Sequence, residues 1–359
     1  MPNANRLDWV DAAKGLSIIL VVMMHSAYGV GEDLNGVGVL HYIIGWAAPF
    51  RMPEFFLISG LFLSQVIARP WLHYTDRRVV HYLYFYALWA MLQIVFKVGL
   101  GTGDVGGVAT QILWAIVEPY GVLWFIYMLA VYSLVAKVLH SLKVPHWAAF
   151  GAAALLQIFP VTTGIPLVDH FAAYSVYFYA GYAFAPLVFR IVAAAQERPA
   201  LSTVALLAFA VVEGILVFAG GATVAPRHMY MGYAALPVVH LVLAFAGALA
   251  VCVTAALLVK LPWMSWLRWL GEHSIVIYLS FSIPMAASRT LMLKTGLIDD
   301  VSVVSVLVMT IALVSPLVLY WLIKRTGWGK FLFERPAWAH VPGAPGSRSY
   351  VKPAAVPAE

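Results

Sequence analysis

At 359 residues the chain is long enough for two or three soluble domains, but it is 63% hydrophobic and only 11% charged, with a mean hydropathy of +0.87. Those proportions exclude an ordinary soluble fold and point to a polytopic helical membrane protein. The formal net charge of +6 sits in loops between apolar runs and implies no nucleic-acid partner, and a lone cysteine, Cys252, excludes disulfides and a cysteine-rich metal site.

Ten apolar runs read as candidate spans: 11–30, 38–66, 79–100, 121–140, 146–160, 170–192, 201–220, 233–259, 271–293 and 301–324. The first is interrupted by Asp11 and Lys14 and lacks a small-residue cleavage site, so it is expected to stay in the protein as a helix. Runs 38–66 and 233–259 are long enough to tilt or to kink at Pro49, Pro53 and Pro237. The fifth run is short and ends at Pro160, and 108–118 is too short to cross a bilayer. Arg6, Arg69, Arg77, Arg78, Lys137, Lys143, Arg190, Arg198, Lys260, Arg268 and the basic residues from Lys324 to Lys352 fall on one side of this pattern. The other side holds Lys97, Arg227, Arg289 and Lys294 against Glu32, Asp33, Asp104, Asp169, Asp299 and Asp300. By the positive-inside rule both termini are cytoplasmic. The expected fold is an all-α integral membrane bundle of about ten helices. Residues 1–334 form its transmembrane domain, and 335–359, rich in Pro, Ala and Gly, form a disordered cytoplasmic tail.

Chemistry must then come from side chains on helices, where ionisable groups in lipid are functional candidates. In the first span Lys14 and His25 are eleven residues apart, almost three turns, so they share a face about 16 Å long. Asp11 lies three residues before Lys14 on nearly the same face. In the second span Arg51 and Glu54 flank Pro53 in an otherwise apolar run. They form either a structural ion pair or a buried polar pocket. His41 and His81, near helix ends, read as interfacial. His240 and Glu213 lie inside spans, where single polar groups serve packing hydrogen bonds or a substrate path. Glu272 suits the positive end of a helix. Trp124, Phe125 and Tyr127 can line a sugar-sized cleft, and the histidines lack close ligand spacing, so no metal is expected.

Asp11-x-x-Lys14-Gly15 followed by His25 resembles the arginine/lysine-x10-histidine signature of the membrane-bound acyltransferase 3 family. Phe55-Phe56-Leu57-Ile58-Ser59-Gly60 is similar to that family's FF-x-x-SG stretch. Leu123-Trp124-Phe125 and Leu270-Gly271-Glu272-His273-Ser274 through Leu279 resemble its later motifs, and the run from Ala48 to Phe56 resembles a small YcfT-like branch. The resemblance covers roughly residues 5–325. It implies transfer of an acyl group from cytosolic acyl-CoA to a hydroxyl, usually on a surface or exported glycan, with His25 as base. Lys14 stands where arginine is more common, keeping the charge without the planar fork. Arg69, Arg77 and Arg78 replace a clean RxxR, and Phe281 stands where many members have a histidine.

The sequence is therefore read as an inner-membrane O-acyltransferase of the bacterial type. The resemblance implies acetyl-CoA or succinyl-CoA as the co-substrate and a carbohydrate hydroxyl as the acceptor. His25 is the general base, with Asp11 or Glu54 to orient or compensate the imidazole. Lys14 with Arg69, Arg77 or Arg78 can hold CoA phosphates, Arg51 can instead stabilise the developing oxyanion, and Trp124 can line the substrate cleft; the sequence leaves the choice among these roles open. Membrane lipids are the remaining expected partners. The rival reading is a proton-coupled transporter with His25, Glu54 and Arg51 as its relay.

Overall fold

The computed structural model describes residues 7–101 and 103–350; Arg6, Lys352 and the last part of the expected tail, 351–359, lie outside them. Its helices in chain order are α1 Asp8–Leu34, α2 Val39–Trp46, α3 Arg51–Gly60, α4 Trp71–Leu100, α5 Val105–Trp114, α6 Trp124–Ser141, α7 His146–Ile158 and α8 Pro166–Ala183. They continue with α9 Ala185–Glu197, α10 Pro199–Phe218, α11 Pro237–Leu258, α12 Ser265–Glu272, α13 Ser274–Ser280, α14 Ser282–Thr295 and α15 Val301–Thr326. A two-stranded hairpin, β1 Thr223–Val224 and β2 Met229–Tyr230, precedes α11.

Among the described residues six helices are long and apolar enough to cross a membrane, or up to eight if α8–α9, bent by 74°, and α13–α14, bent by 55°, each make one span. The expected 38–66 span is instead two short helices. Pro49 lacks an N–H and interrupts the helical ladder, so α2 ends at Trp46, a hydrogen-bonded turn covers 47–50, and the chain restarts as helix at Arg51. Pro53 fits within the first turn of α3, where N–H groups have no helical acceptor. The expected fifth span is reduced to α7, whose 13 residues reach only about 20 Å.

The chain divides into two compact units. The first takes the chain up to Phe62, Pro145–Gly164 and Val168–Trp321. In it α1 packs on α12, α11, α2 and α3. Small side chains make this contact close: Ala12 and Ala13 share a core cluster with Ala248, Cys252, Ala255, Ala256 and Leu267. The closest approach is glycine on glycine. A Cβ on Gly271 would stand 1.6 Å from the Asp11 carbonyl oxygen, and one on Gly15 would stand 2.4 Å from that of Leu267. Gly60 and Gly181 make a second such contact between α3 and α8.

The second unit takes Leu63–Val144, Ile165–Leu167 and the chain from Leu322. Lys137, placed by charge counting in an inner loop, is instead a buried residue of α6. Its ammonium donates to the carbonyls of Ile67 at 2.6 Å and Arg69 at 2.8 Å, and lies 5.3 Å from the ring centres of Trp71 and Tyr74. Within the expected tail, Arg335, His340 and Val341 meet Asp76. Asp76, fully buried in α4, accepts from Arg335 Nη2 at 2.5 Å and from the backbone N–H of Val341 at 2.8 Å. Just upstream, Trp89 and Tyr84 donate to the carbonyls of Leu332 and Phe331.

Candidate active site

One face of α1 carries Asp11, Lys14, Ser17, His25 and Tyr28. At its N-terminal end Asp11 is buried and its Oδ1 lies 3.4 Å from the ammonium of Lys14, whose side chain stays 37% exposed. Asp11 is fourteen residues from His25, about 21 Å of helix, so its carboxylate serves Lys14 and not the imidazole. Arg268 of α12 pairs with Asp8 at 2.8 Å and holds α12 to the same end.

The late motif runs along this face. Gly271 meets the backbone of α1 at Asp11 and Gly15, and Phe281, at the bend between α13 and α14, lies 5.6 Å ring to ring from His25. Ten residues of that motif therefore span the same length as the Lys14 to His25 interval. Phe281 is fully buried and closes the apolar side of the imidazole. Ser26, next along α1, donates to the Ser305 carbonyl at 2.6 Å and fixes the rotation of this part of the helix against α15.

Helix α3 brings the second cluster. Glu54 is completely buried, faced by Ser17 of α1, Arg51 one turn earlier and Cys252 of α11. Ser17 precedes His25 by eight residues, about 12 Å of helix axis, so the carboxylate stands between the levels of Lys14 and His25. Apart from Ser17, no hydrogen-bond donor among the described residues meets the carboxylate, and no acceptor meets Nε or Nη1 of Arg51, both buried. Arg51 is within electrostatic reach of Tyr28, Tyr174 and Glu54. Tyr174, from α8, packs its ring on Phe56 at 5.4 Å and on His170 at 6.2 Å. Buried polar atoms are nearly always bonded, so an acid and a guanidinium with open valences mark a place organised for something other than packing.

Tyr28 and Tyr174 were not among the sequence candidates. Tyr28 was findable, being one turn beyond His25; Tyr174 comes from a helix far along the chain and carries no local signal. His41, read as interfacial, is fully buried and structural: Nδ1 accepts from the Gly38 N–H at 3.1 Å and Nε2 meets the Pro226 carbonyl at 3.0 Å.

The remaining candidates belong to the second unit. Arg69, Arg77 and Arg78 line one cavity of about 490 Å³ together with His73, His81, Arg335 and His340. Three sequence-predicted cations are thus gathered, and Arg335 and His340 join them from the far end of the chain. Trp124 begins α6 in this unit, half-buried, and is not part of that cavity's wall.

A family model described as an acyltransferase domain matches residues 7–325. The inner membrane protein YcfT of Escherichia coli (strain K12) is 29% identical over 167 residues, covering 40% of this chain. The match spans only 46% of that relative's length, about half of it. No solved structure matches the chain.

Proposed function

The chain belongs to the acyltransferase 3 family, and from that premise we propose that it is a multi-pass O-acyltransferase of the bacterial inner membrane. It moves a small acyl group, acetyl or succinyl, from cytosolic acyl-CoA to a carbohydrate hydroxyl. The observation that carries this reading is the α1 face, with an ion-paired but half-exposed ammonium at one end and an imidazole three turns away. A relay for protons does not require that cation; a donor with phosphates at one end and a thioester at the other does. The acceptor oxygen attacks the thioester carbonyl carbon while His25 takes its proton. The C–S bond then breaks, and the departing thiolate receives the proton from the imidazolium. Arg51, with open N–H donors, is assigned to the oxyanion that forms on the carbonyl oxygen. Lys14 holds anionic groups of the donor, and Asp11 keeps its ammonium in place. The cationic cavity of the second unit is assigned phosphate groups.

The test is release of free thiol from acetyl-CoA by the purified protein in nanodiscs, with and without cell-envelope glycan. His25→Ala is expected to lower turnover by about 10²–10⁴-fold, the usual worth of a positioned base. Lys14→Ala is expected to act mainly on the apparent affinity for acetyl-CoA. The second reading, a proton-coupled transporter, is favoured by the open valences of Glu54 and Arg51. Absence of thioester turnover or acyl-CoA binding with several acyl-CoAs would replace the first reading by the second.

A further inference from the structure

The cavity of the second unit is more cationic than its loop arginines make it, because the chain returns to it after Leu322. We propose that Arg335–Val341 is a built wall of a phosphate-binding site, in which Arg335 and His340 act together with Arg69, Arg77 and Arg78. Arg335 is the central observation. Its side chain is only 3% exposed, its Nη1 and Nη2 donate to the Asp76 carbonyl and carboxylate at 2.7 and 2.5 Å, and its Nε is buried without a partner. The residue nonetheless lines the cavity. Asp76 is the fastening. It is fully buried and accepts from the Val341 N–H at 2.8 Å, while His340 Nδ1 lies 2.8 Å from Arg335 Nη2 and 3.1 Å from the carboxylate, so Arg335, His340 and Val341 are all held at Asp76.

Charge then decides what the cavity suits. Four arginines and no acid are among the residues that line it, and Arg78, Arg335 and His340 are all within electrostatic reach of His81. Arginines gathered on one cavity wall repel one another, and a multiply charged oxyanion relieves that repulsion while accepting charge-assisted hydrogen bonds. A volume of about 490 Å³ is within the range of small-molecule sites. Two sources offer that chemistry: the phosphates of CoA and the headgroup of an anionic lipid. The assignment to CoA rests on the acyltransferase reading; the phosphate site itself does not.

Full-length protein in phosphatidylcholine nanodiscs is titrated with CoA and with 3′-dephospho-CoA, and retention of phosphatidylglycerol is measured separately by native mass spectrometry. Arg335→Gln and His340→Ala are compared with wild type, each checked by thermal melting. Both variants are expected to weaken CoA by about tenfold and to narrow its advantage over 3′-dephospho-CoA, as loss of a charge-assisted contact requires. If Arg335→Gln does not fold, because Asp76 is left buried alone, His340→Ala carries the test. Unchanged CoA affinity in variants that melt like wild type overturns the proposal. Wild type that ignores CoA but retains phosphatidylglycerol, with retention lost in the variants, keeps the phosphate site and removes the acyl-CoA reading. Wild type that binds neither probe overturns the site.

Discussion

Gly271 illustrates how a weak sequence motif acquires a physical meaning. Its hydrogen occupies the only space between α12 and the Asp11 carbonyl, so Gly271→Ala must move one helix away from the other. Overpacking of this kind costs about 1–3 kcal/mol. The expected result is a lower melting temperature in detergent together with reduced thioester turnover, whereas Gly151→Ala, whose Cβ meets open space, should change neither. The Lys14 and His25 pairing was legible because both lie on one helix, where spacing dictates direction. Glu54 and Arg51 were legible as unusual residues, but their surroundings were not. Ser17, Cys252 and Tyr174 reach them from three different helices, and no periodicity within one segment records that. The same limit hid Phe281, which looked like a missing histidine and is in the structure the ring packed on His25.

Helix existence was readable from hydropathy, but helix continuity was not. Pro49 and Pro53 announced a disturbance in 38–66, yet whether the chain kinks or stops depends on what receives the freed backbone groups. Lys137 shows the converse error. Counted as a loop charge, it is the residue that ties α6 to the carbonyls of Ile67 and Arg69, just before α4 begins. Hydrogen bonds from a charged donor contribute roughly 1.5–3 kcal/mol each, and two are lost together in Lys137→Met. That variant is expected to melt lower and to be nicked faster by protease between Leu63 and Pro70. Wild-type resistance there would assign Lys137 no role in holding the segment.

Sidedness is a property of the whole chain and follows from loop charge, not from any one helix. Because Cys252 is buried, single cysteines placed elsewhere report without background. Asp299→Cys is expected to react with a membrane-impermeant maleimide in intact cells, and Arg348→Cys only after the membrane is opened. Labelling in the reverse order would invert the orientation. The order of synthesis adds a different consequence. Asp76 leaves the ribosome 259 residues before Arg335, which at about 5–20 residues per second is tens of seconds. A carboxylate that ends fully buried must therefore wait in water or carry a proton until nearly all the membrane helices have been made. The stretch around Arg335 thus completes what an early helix began, and a chain truncated before Arg335 is expected to leave Asp76 without its guanidinium partner, which a lowered melting temperature of the truncated protein would show.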